Sequence, residues 1–291
     1  MASIRKPEIF PRGRLSDPDA LRAWRPWVVE EPDGTLKMWY SGSDGSSSRI
    51  LLAVRPPGGA WDRQGAVIEP GFSGDEDSYG VESPCVVKTP GGYLMVYGGF
   101  DGQVTRLLAA TSEDAGGWVP QGTILQRGSE DARAATDPCL VITGERWWLF
   151  FTGHSGSGEG GDTSILAAVS ETGASWDRVG PVLEPEVGEV AVSHPCVIDI
   201  ARTFWMFYSS EDAERSSIAL ATSPDGMSWE RRGTVLEPVD HDPGARSVHT
   251  PCVVKLHDRS LRMWYAAITE EDRELGYRIG SVLLEGSSEA G

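Results

Sequence analysis

Positive charge is scarce in this chain: 26 Lys and Arg residues stand against 43 Asp and Glu, a formal net charge of −17 over 291 residues. A surface of that sign repels nucleic-acid phosphates and anionic lipid headgroups, so neither is expected as a partner. Long apolar runs are missing too. No window approaches the roughly 20 apolar residues needed to span a bilayer, and the opening Met1-Ala2-Ser3-Ile4-Arg5-Lys6-Pro7 has no apolar signal core. A cytoplasmic protein without membrane partners is the expectation. Cysteine is rare, with 4 in all and no CxxC pair to suggest a zinc or redox site. Cys85, Cys139, Cys196 and Cys252 each follow a proline. Equivalent positions in separate repeats need not bring Cα atoms within the roughly 4.4–6.8 Å that a disulfide wants, so these residues read as small buried apolar groups.

What the chain does have is a period. Ser83-Pro84-Cys85-Val86-Val87 returns as Asp137-Pro138-Cys139-Leu140-Val141, His194-Pro195-Cys196-Val197-Ile198 and Thr250-Pro251-Cys252-Val253-Val254, and less closely as Arg25-Pro26-Trp27-Val28-Val29. The prolines at 26, 84, 138, 195 and 251 lie 58, 54, 57 and 56 residues apart. Such self-similarity sets the architecture before any local motif is read.

Each repeat has four short runs rich in β-branched and aromatic residues, bounded by Gly, Asp, Ser and Pro, the signature of strands. After the Pro-Cys run comes an aromatic run such as Met206-Phe207-Tyr208, then a small-residue run such as Ile218-Ala219-Leu220-Ala221, then a fourth run ending in Val235-Leu236-Glu237-Pro238. Trp61, Trp118, Trp176 and Trp229 close the hairpin before the fourth run, and a residue repeated this faithfully reads as packing. Four-stranded units at this spacing predict an all-β, five-bladed β-propeller forming one domain over residues 1–291. The blades begin near residues 25, 82, 136, 193 and 249. The last repeat lacks its fourth strand, and Pro7-Glu8-Ile9-Phe10-Pro11 resembles one, so residues 4–13 are expected to complete it and close the ring.

In a propeller the first strand of each blade lines the central channel. Residues just before the repeated prolines should therefore converge at its mouth, with proline biasing each towards extended geometry. Those residues are Arg25, Ser83, Asp137, His194 and Thr250; one position earlier stand Trp24, Glu82, Thr136, Ser193 and His249. Five before each proline lie Leu21, Tyr79, Arg133, Val190 and Arg246. Glu82, Asp137, His194 and His249 are the candidate acid and base groups, since carboxylates and imidazoles in one funnel shift each other's pKa. Arg25, Trp24, Tyr79, Arg133 and Arg246 are the candidate substrate-binding residues. No cofactor is called for, although the His, Glu and Asp set has the ligand chemistry for a divalent metal at the channel mouth. His154, His241 and His257 lie in polar surroundings and read as solvated loop residues. The Gly156 to Gly161 segment precedes no helix and makes a weak phosphate loop.

The strand repeats, the hairpin Ser223-Pro224-Asp225-Gly226-Met227-Ser228-Trp229 and the Val-Leu-Glu-Pro strands resemble the five-bladed propeller superfamily of arabinanases, β-xylosidases, invertases and levansucrases. The resemblance covers essentially the whole chain. It implies a glycoside-hydrolase-like enzyme with an aspartate in the first blade, an Asp-Pro aspartate in the third and a glutamate in the fourth. Asp137-Pro138 matches the middle member, whose family role is to orient substrate hydroxyls and tune the acid. Arg25 stands at the first-blade position, with Asp17 and Asp19 upstream, and Ser193-His194 at the fourth; the Glu-x-Pro triplet, Glu82-Ser83-Pro84, falls in the second blade. The expectation is acid/base chemistry on a small carbohydrate or sugar-like molecule. Two alternatives stay open: a lyase, cyclase or isomerase of a small metabolite using the same His, Glu and Asp residues, and a ligand-binding propeller without catalysis.

Overall fold

The structure, a computed structural model, describes residues 7–11, 13–144, 146–156, 162–241, 245–269 and 276–284. The protein is all-β, with 20 strands and one four-residue helix, α1 (Pro238–His241), among the described residues. Three sheets hold the strands, two of eight and one of four. The four-stranded sheet is an antiparallel meander of β2 (Arg22–Glu30), β3 (Leu36–Ser43), β4 (Ser48–Arg55) and β5 (Asp62–Ile68). One eight-stranded sheet contains the meanders β6 (Gly80–Thr89) to β9 (Val119–Thr123) and β10 (Ala134–Thr143) to β13 (Asp177–Leu183). Within the sheet they are joined by one parallel residue pair, Ala134 with Thr105. The other sheet joins β14 (Ala191–Ile200) through β17 (Glu230–Leu236) to β18 (Ala245–Lys255), β19 (Leu261–Thr269) and β20 (Arg278–Leu284) in the same way, Ser216 with Ser247. Here β1 (Glu8–Ile9) adds to β20, Glu8 opposite Ser281 and Ile9 opposite Gly280. Pro7–Pro11 thus supplies the strand missing from the last repeat, while residues 4–6 and 12 lie outside the described set.

The burial of each strand follows from its place in the meander. Second and third strands are covered on both faces at their centres, which is why Met95-Val96-Tyr97 and Leu107-Leu108 read as continuous apolar runs. Fourth strands are less covered: β13 is Asp-Arg-Val-Gly-Pro-Val-Leu with exposed and half-buried positions in turn. Apolar clusters fill the gaps between successive meanders. One joins Trp39, Ile50 and Leu52 to Val86, Met95 and Tyr97. Another joins Met38, Tyr40 and Leu51 of the first meander to Cys252, Trp264 and Ile279 of the last, with Phe10 among them. Trp61, Trp118, Trp176 and Trp229 pack against these clusters, and the last three donate an indole N–H to a carbonyl three residues back.

The cysteines tie neighbouring first strands together. Cys85 Sγ accepts the N–H of Leu140 at 3.1 Å, Cys139 that of Val197 at 3.2 Å, Cys196 that of Val253 at 3.2 Å and Cys252 that of Val28 at 3.2 Å. All four thiols are free and buried. In the first repeat Trp27 takes the cysteine's place, and its Nε1 donates to the Val86 carbonyl at 2.8 Å.

A second repeated device clamps the fourth strand. Arg63, Arg178 and Arg231 stand at the same register, opposite Ala53, Ala168 and Ala221. Arg63 holds Asp19 with Nε at 2.9 Å, and Tyr40 donates to the same carboxylate at 3.0 Å. Arg178 holds both oxygens of Asp131 at 2.6 Å, and Arg231 holds Glu189 at 2.9 Å. In the second meander Pro120 replaces the arginine, and Asp77 accepts from the Tyr97 hydroxyl at 3.3 Å, with burial raising its pKa. Asp19 is therefore a clamp residue, not a free carboxylate.

Candidate functional site

All five first strands break register at the repeated proline. Trp24, Glu82, Thr136, Ser193 and His249 still pair with the second strand, then two residues oppose one before pairing resumes at Trp27, Cys85, Cys139, Cys196 and Cys252. Such a bulge re-aims a side chain. The residues before the prolines are not extended, contrary to the expectation from the dipeptide alone. Their φ angles are +52° at Arg25, +58° at Ser83, +53° at Asp137, +54° at His194 and +54° at Thr250. The left-handed conformation costs of order 1–3 kcal/mol per residue and persists only where the surroundings over-determine it. Part of that determination is visible: the N–H groups of Ser83, His194 and Thr250 donate to the hydroxyls of Ser41, Thr152 and Ser209 on the preceding meander's second strand, at 2.9, 2.9 and 3.1 Å.

These bulges converge on a depression lined by Arg25, Ser83, Asp137, His194 and Thr250 with their prolines and Trp27. At its centre one arginine serves two acids. Arg25 Nη1 lies 2.8 Å from Glu82 and also donates to Ser83 Oγ, while Nε lies 3.2 Å from Asp137. Asp137, 6% exposed, also accepts from Ser83 at 2.9 Å and from Thr136 at 2.7 Å, and His194 Nε2 approaches it at 3.6 Å. Burial opposes the Asp137 charge, but Arg25, His194 and the two hydroxyls outweigh it and hold the carboxyl well below the usual range. Burial likewise disfavours the Arg25 cation, yet Asp137 and Glu82 raise its pKa.

The imidazoles behave in the opposite way. Burial lowers His194 to about 4 despite Asp137, with Arg25 and His154 adding to the fall. Burial, His194 and Arg25 lower His249 to about 3. Both are neutral at pH 7 and can accept a proton. Their rings meet edge to face at 6.3 Å, and Tyr277 lies against His249 at 5.7 Å. Thr250 Oγ1 is buried and has no hydrogen-bond partner among the described residues. No group of three or more His, Cys, Asp or Glu is placed to hold a metal among those residues.

Of the residues singled out in the sequence, Arg25, Glu82, Asp137, His194 and His249 come together here. Of the outer set, Tyr79, Arg133 and Arg246 are exposed and Trp24 is half-buried. Tyr79, 67% exposed, stands edge-on to Phe100 and over Gly102, beside a separate polar hollow with Asp75, Asp101 and Gln103. Arg133 is exposed and donates its backbone N–H to the His154 carbonyl. Arg246 is exposed at a bulge of its own, and Trp24 is half-buried opposite Ser41.

Two residues escaped the sequence reading. His154 is no solvated loop residue: it ends β11 (Arg146–His154), faces Thr163 at 3.1 Å and Thr136 at 3.5 Å, and burial lowers its pKa. Glu211 ends β15 (Thr203–Glu211), 3.7 Å from His249 and 3.5 Å from Ser193 Oγ. Burial raises its pKa. A signal existed. Ser43, Phe100, His154, Glu211 and Ile268 sit at the same register of the second strands, opposite Arg22, Gly80, Ala134, Ala191 and Ser247, and they are as unlike one another as the residues before the prolines. His241 also proves half-buried, with Nδ1 2.9 Å from the Tyr265 hydroxyl, whereas His257 is exposed beside Glu30. The candidate phosphate-loop segment lies largely outside the described residues.

Solved structures share the fold. A thermostable family-43 glycoside hydrolase superposes with a TM-score of 0.77, covering 92% of this chain and 91% of its own at 16% identity. The fold is that of the glycoside-hydrolase propellers. An α-L-arabinofuranosidase from Lactobacillus brevis gives a TM-score of 0.71 with 91% of each chain covered at 12% identity. A structure from the GH130 family of mannoside phosphorylases, which contains glycoside hydrolases that target β-1,2-mannosidic linkages in Candida mannan, gives 0.70 over 92% of this chain and 86% of its own at 15% identity. No family model and no curated protein sequence matches the chain. As a propeller it carries its ionic cluster on first strands, at the bulges before the repeated prolines, and no described helix is long and apolar enough to cross a membrane.

Proposed function

We propose that this chain is a five-bladed propeller, closed by its N-terminal strand, that acts on a small carbohydrate or sugar-like metabolite by acid/base chemistry in its central pocket. Support for five blades and closure comes from the β1–β20 pairing, the apolar cluster joining first and last meanders, and the Cys252 to Val28 bond. The observation that carries the functional reading is the Glu82–Arg25–Asp137 cluster, set at bulges in a glycoside-hydrolase fold. Asp137 stays ionised and locked on two sides, which suits it to orient ligand hydroxyls. Glu82 has one described ionic partner, Arg25, and is the better placed of the two to exchange a proton. The paired acid and base of an ordinary glycosidase flank the scissile bond, whereas here Arg25 stands between the two acids.

One observation favours a second reading, a lyase, cyclase or isomerase: two buried imidazoles, uncharged at neutral pH, in the same pocket. A panel of aryl glycosides separates the two. Under the first reading the protein cleaves at least one, and Glu82→Gln and Asp137→Asn each abolish turnover while the fold survives. If every glycoside is inert and His194→Ala removes turnover of another small metabolite, the second reading replaces the first. If no turnover is found and sugars still bind, the pocket is a binding site alone.

A further inference from the structure

Ser193 has one hydroxyl hydrogen and two acceptors. His194 Nδ1 lies 2.6 Å from its Oγ, and Glu211 Oε1 lies 3.5 Å away on the other side. Ser193 is buried, so no bulk water competes for that hydrogen. The far nitrogen of the same imidazole, Nε2, faces the Asp137 carboxylate at 3.6 Å. A neutral imidazole carries one N–H. With a permanent carboxylate on the Nε2 side, the proton belongs on Nε2, which leaves Nδ1 bare. Nδ1 must then accept the Ser193 hydrogen, and Ser193 Oγ has only lone pairs to offer Glu211. An ionised Glu211 would face those lone pairs, whereas a protonated one can donate to them.

We propose that Asp137, His194, Ser193 and Glu211 form one chain of contacts, electrostatic between Asp137 and His194 and hydrogen-bonded from His194 through Ser193 to Glu211, in which the Asp137 charge fixes the His194 tautomer, the tautomer fixes the Ser193 hydroxyl, and the hydroxyl keeps Glu211 as the protonated acid of the pocket. The proposal rests on the acid/base reading above and adds to it a donor on β15 that the inner strands do not supply. Ser193 and His194 are positioning residues in it. When a bound oxygen takes the Glu211 proton, the O–H bond of the carboxyl breaks and an O–H bond forms on the ligand. The Ser193 hydrogen can then swing from Nδ1 to the new carboxylate. Glu211, 32% exposed, is reprotonated from water, and the chain returns to its first register. The other groups facing Glu211 are His249 at 3.7 Å and, through their charge, Asp137 and the Tyr277 phenol; those facing His194 are Asp137, Arg25, His154 and His249. The neutral histidines add no cation to draw the Glu211 proton off, and burial already raises its pKa.

The test is nuclear magnetic resonance on the intact protein, with ¹⁵N-labelled histidine and ¹³C-labelled glutamate carboxyls. At pH 7 His194 should show the Nε2–H tautomer, and the Glu211 carboxyl should titrate above ordinary glutamates. Asp137→Asn should move the Glu211 midpoint down. In a Ser193→Ala background the same Asp137→Asn change should move it less, because only the through-space effect remains, and Ser193→Thr should restore the full movement. An Nδ1–H tautomer in the unmodified protein overturns the chain, and that reading needs no variant to fold. Equal movement with serine or alanine at 193 overturns it as well. Neither readout requires turnover, so failure of the glycoside panel bears on the function alone.

Discussion

Asp19, Asp131 and Glu189 are each held by an arginine of their own, Arg63, Arg178 and Arg231, while at the pocket Asp137 and Glu82 share the single guanidinium of Arg25. Both arrangements are carboxylate–arginine contacts beside the same strands. In three meanders the clamp repeats, each arginine at one register opposite an alanine. The pocket set repeats in backbone alone. Every first strand makes the same left-handed bulge before proline, and each bulge presents a different side chain. Repetition marks what the fold needs; variation on a repeated, strained backbone marks what a ligand would need.

The largest effect should come from breaking a clamp. Asp131→Ala leaves Arg178 without its carboxylate and should cost about 3–5 kcal/mol, read as a lower denaturation midpoint, with no effect on ligand binding by the folded fraction. Removing residues 1–12 takes away β1 and the buried Phe10, which lies edge-on to Tyr40 at 5.3 Å and Trp61 at 6.1 Å. Loss of such a ring costs about 3 kcal/mol or more, so the melting temperature should fall sharply; an unchanged value would break the closure of last meander by first strand.

Acid should act next, and through the pocket. In the unfolded chain both imidazoles take up protons near the ordinary value of 6.5, whereas in the folded site His194 does so only near 4 and His249 near 3. Between those values the unfolded state binds more protons, so stability falls as pH drops. For His194 alone the effect is on the order of 3 kcal/mol across the window from about pH 6.5 to about 4. His194→Gln should flatten that part of the pH–stability curve, and a curve of unchanged slope would mean that the imidazole is not buried neutral. The smallest stability effect belongs to Glu82→Gln: a partly exposed contact is worth less than about 1 kcal/mol, and Arg25 keeps Asp137. Its effect on turnover should be complete. A clamp-sized loss of stability there would erase the distinction between the two kinds of pair.

Much of this was legible in the residues. The Pro-Cys period, the aromatic at 13 or 14 residues after each proline and the spare strand Pro7–Pro11 led to the meanders and to the β1–β20 pairing, because binary patterning and register are local properties. The convergence of Arg25, Glu82, Asp137, His194 and His249 followed from repeat equivalence. The left-handed φ before each proline did not, since the dipeptide preference is overridden by two opposed residues and by hydroxyls such as Ser41 and Thr152 on a neighbouring meander. Glu211 and His154 stand three residues after the repeated aromatic of the second strand, but the site residues were read from the first strands alone, and the register shows that these strand ends face them. Tyr79, Arg133 and Arg246 were grouped with the site by counting back five residues, a distance over which the chain turns outward to exposed positions.

The measurement closest to the central claim is a crystal structure of the protein soaked in a mixture of monosaccharides and sugar acids. Density for a sugar against Arg25, Asp137 and His194, with its hydroxyls on Asp137, is the predicted result. A sugar seated elsewhere with this pocket empty would contradict the claim that the varied residues on the repeated bulges are the site.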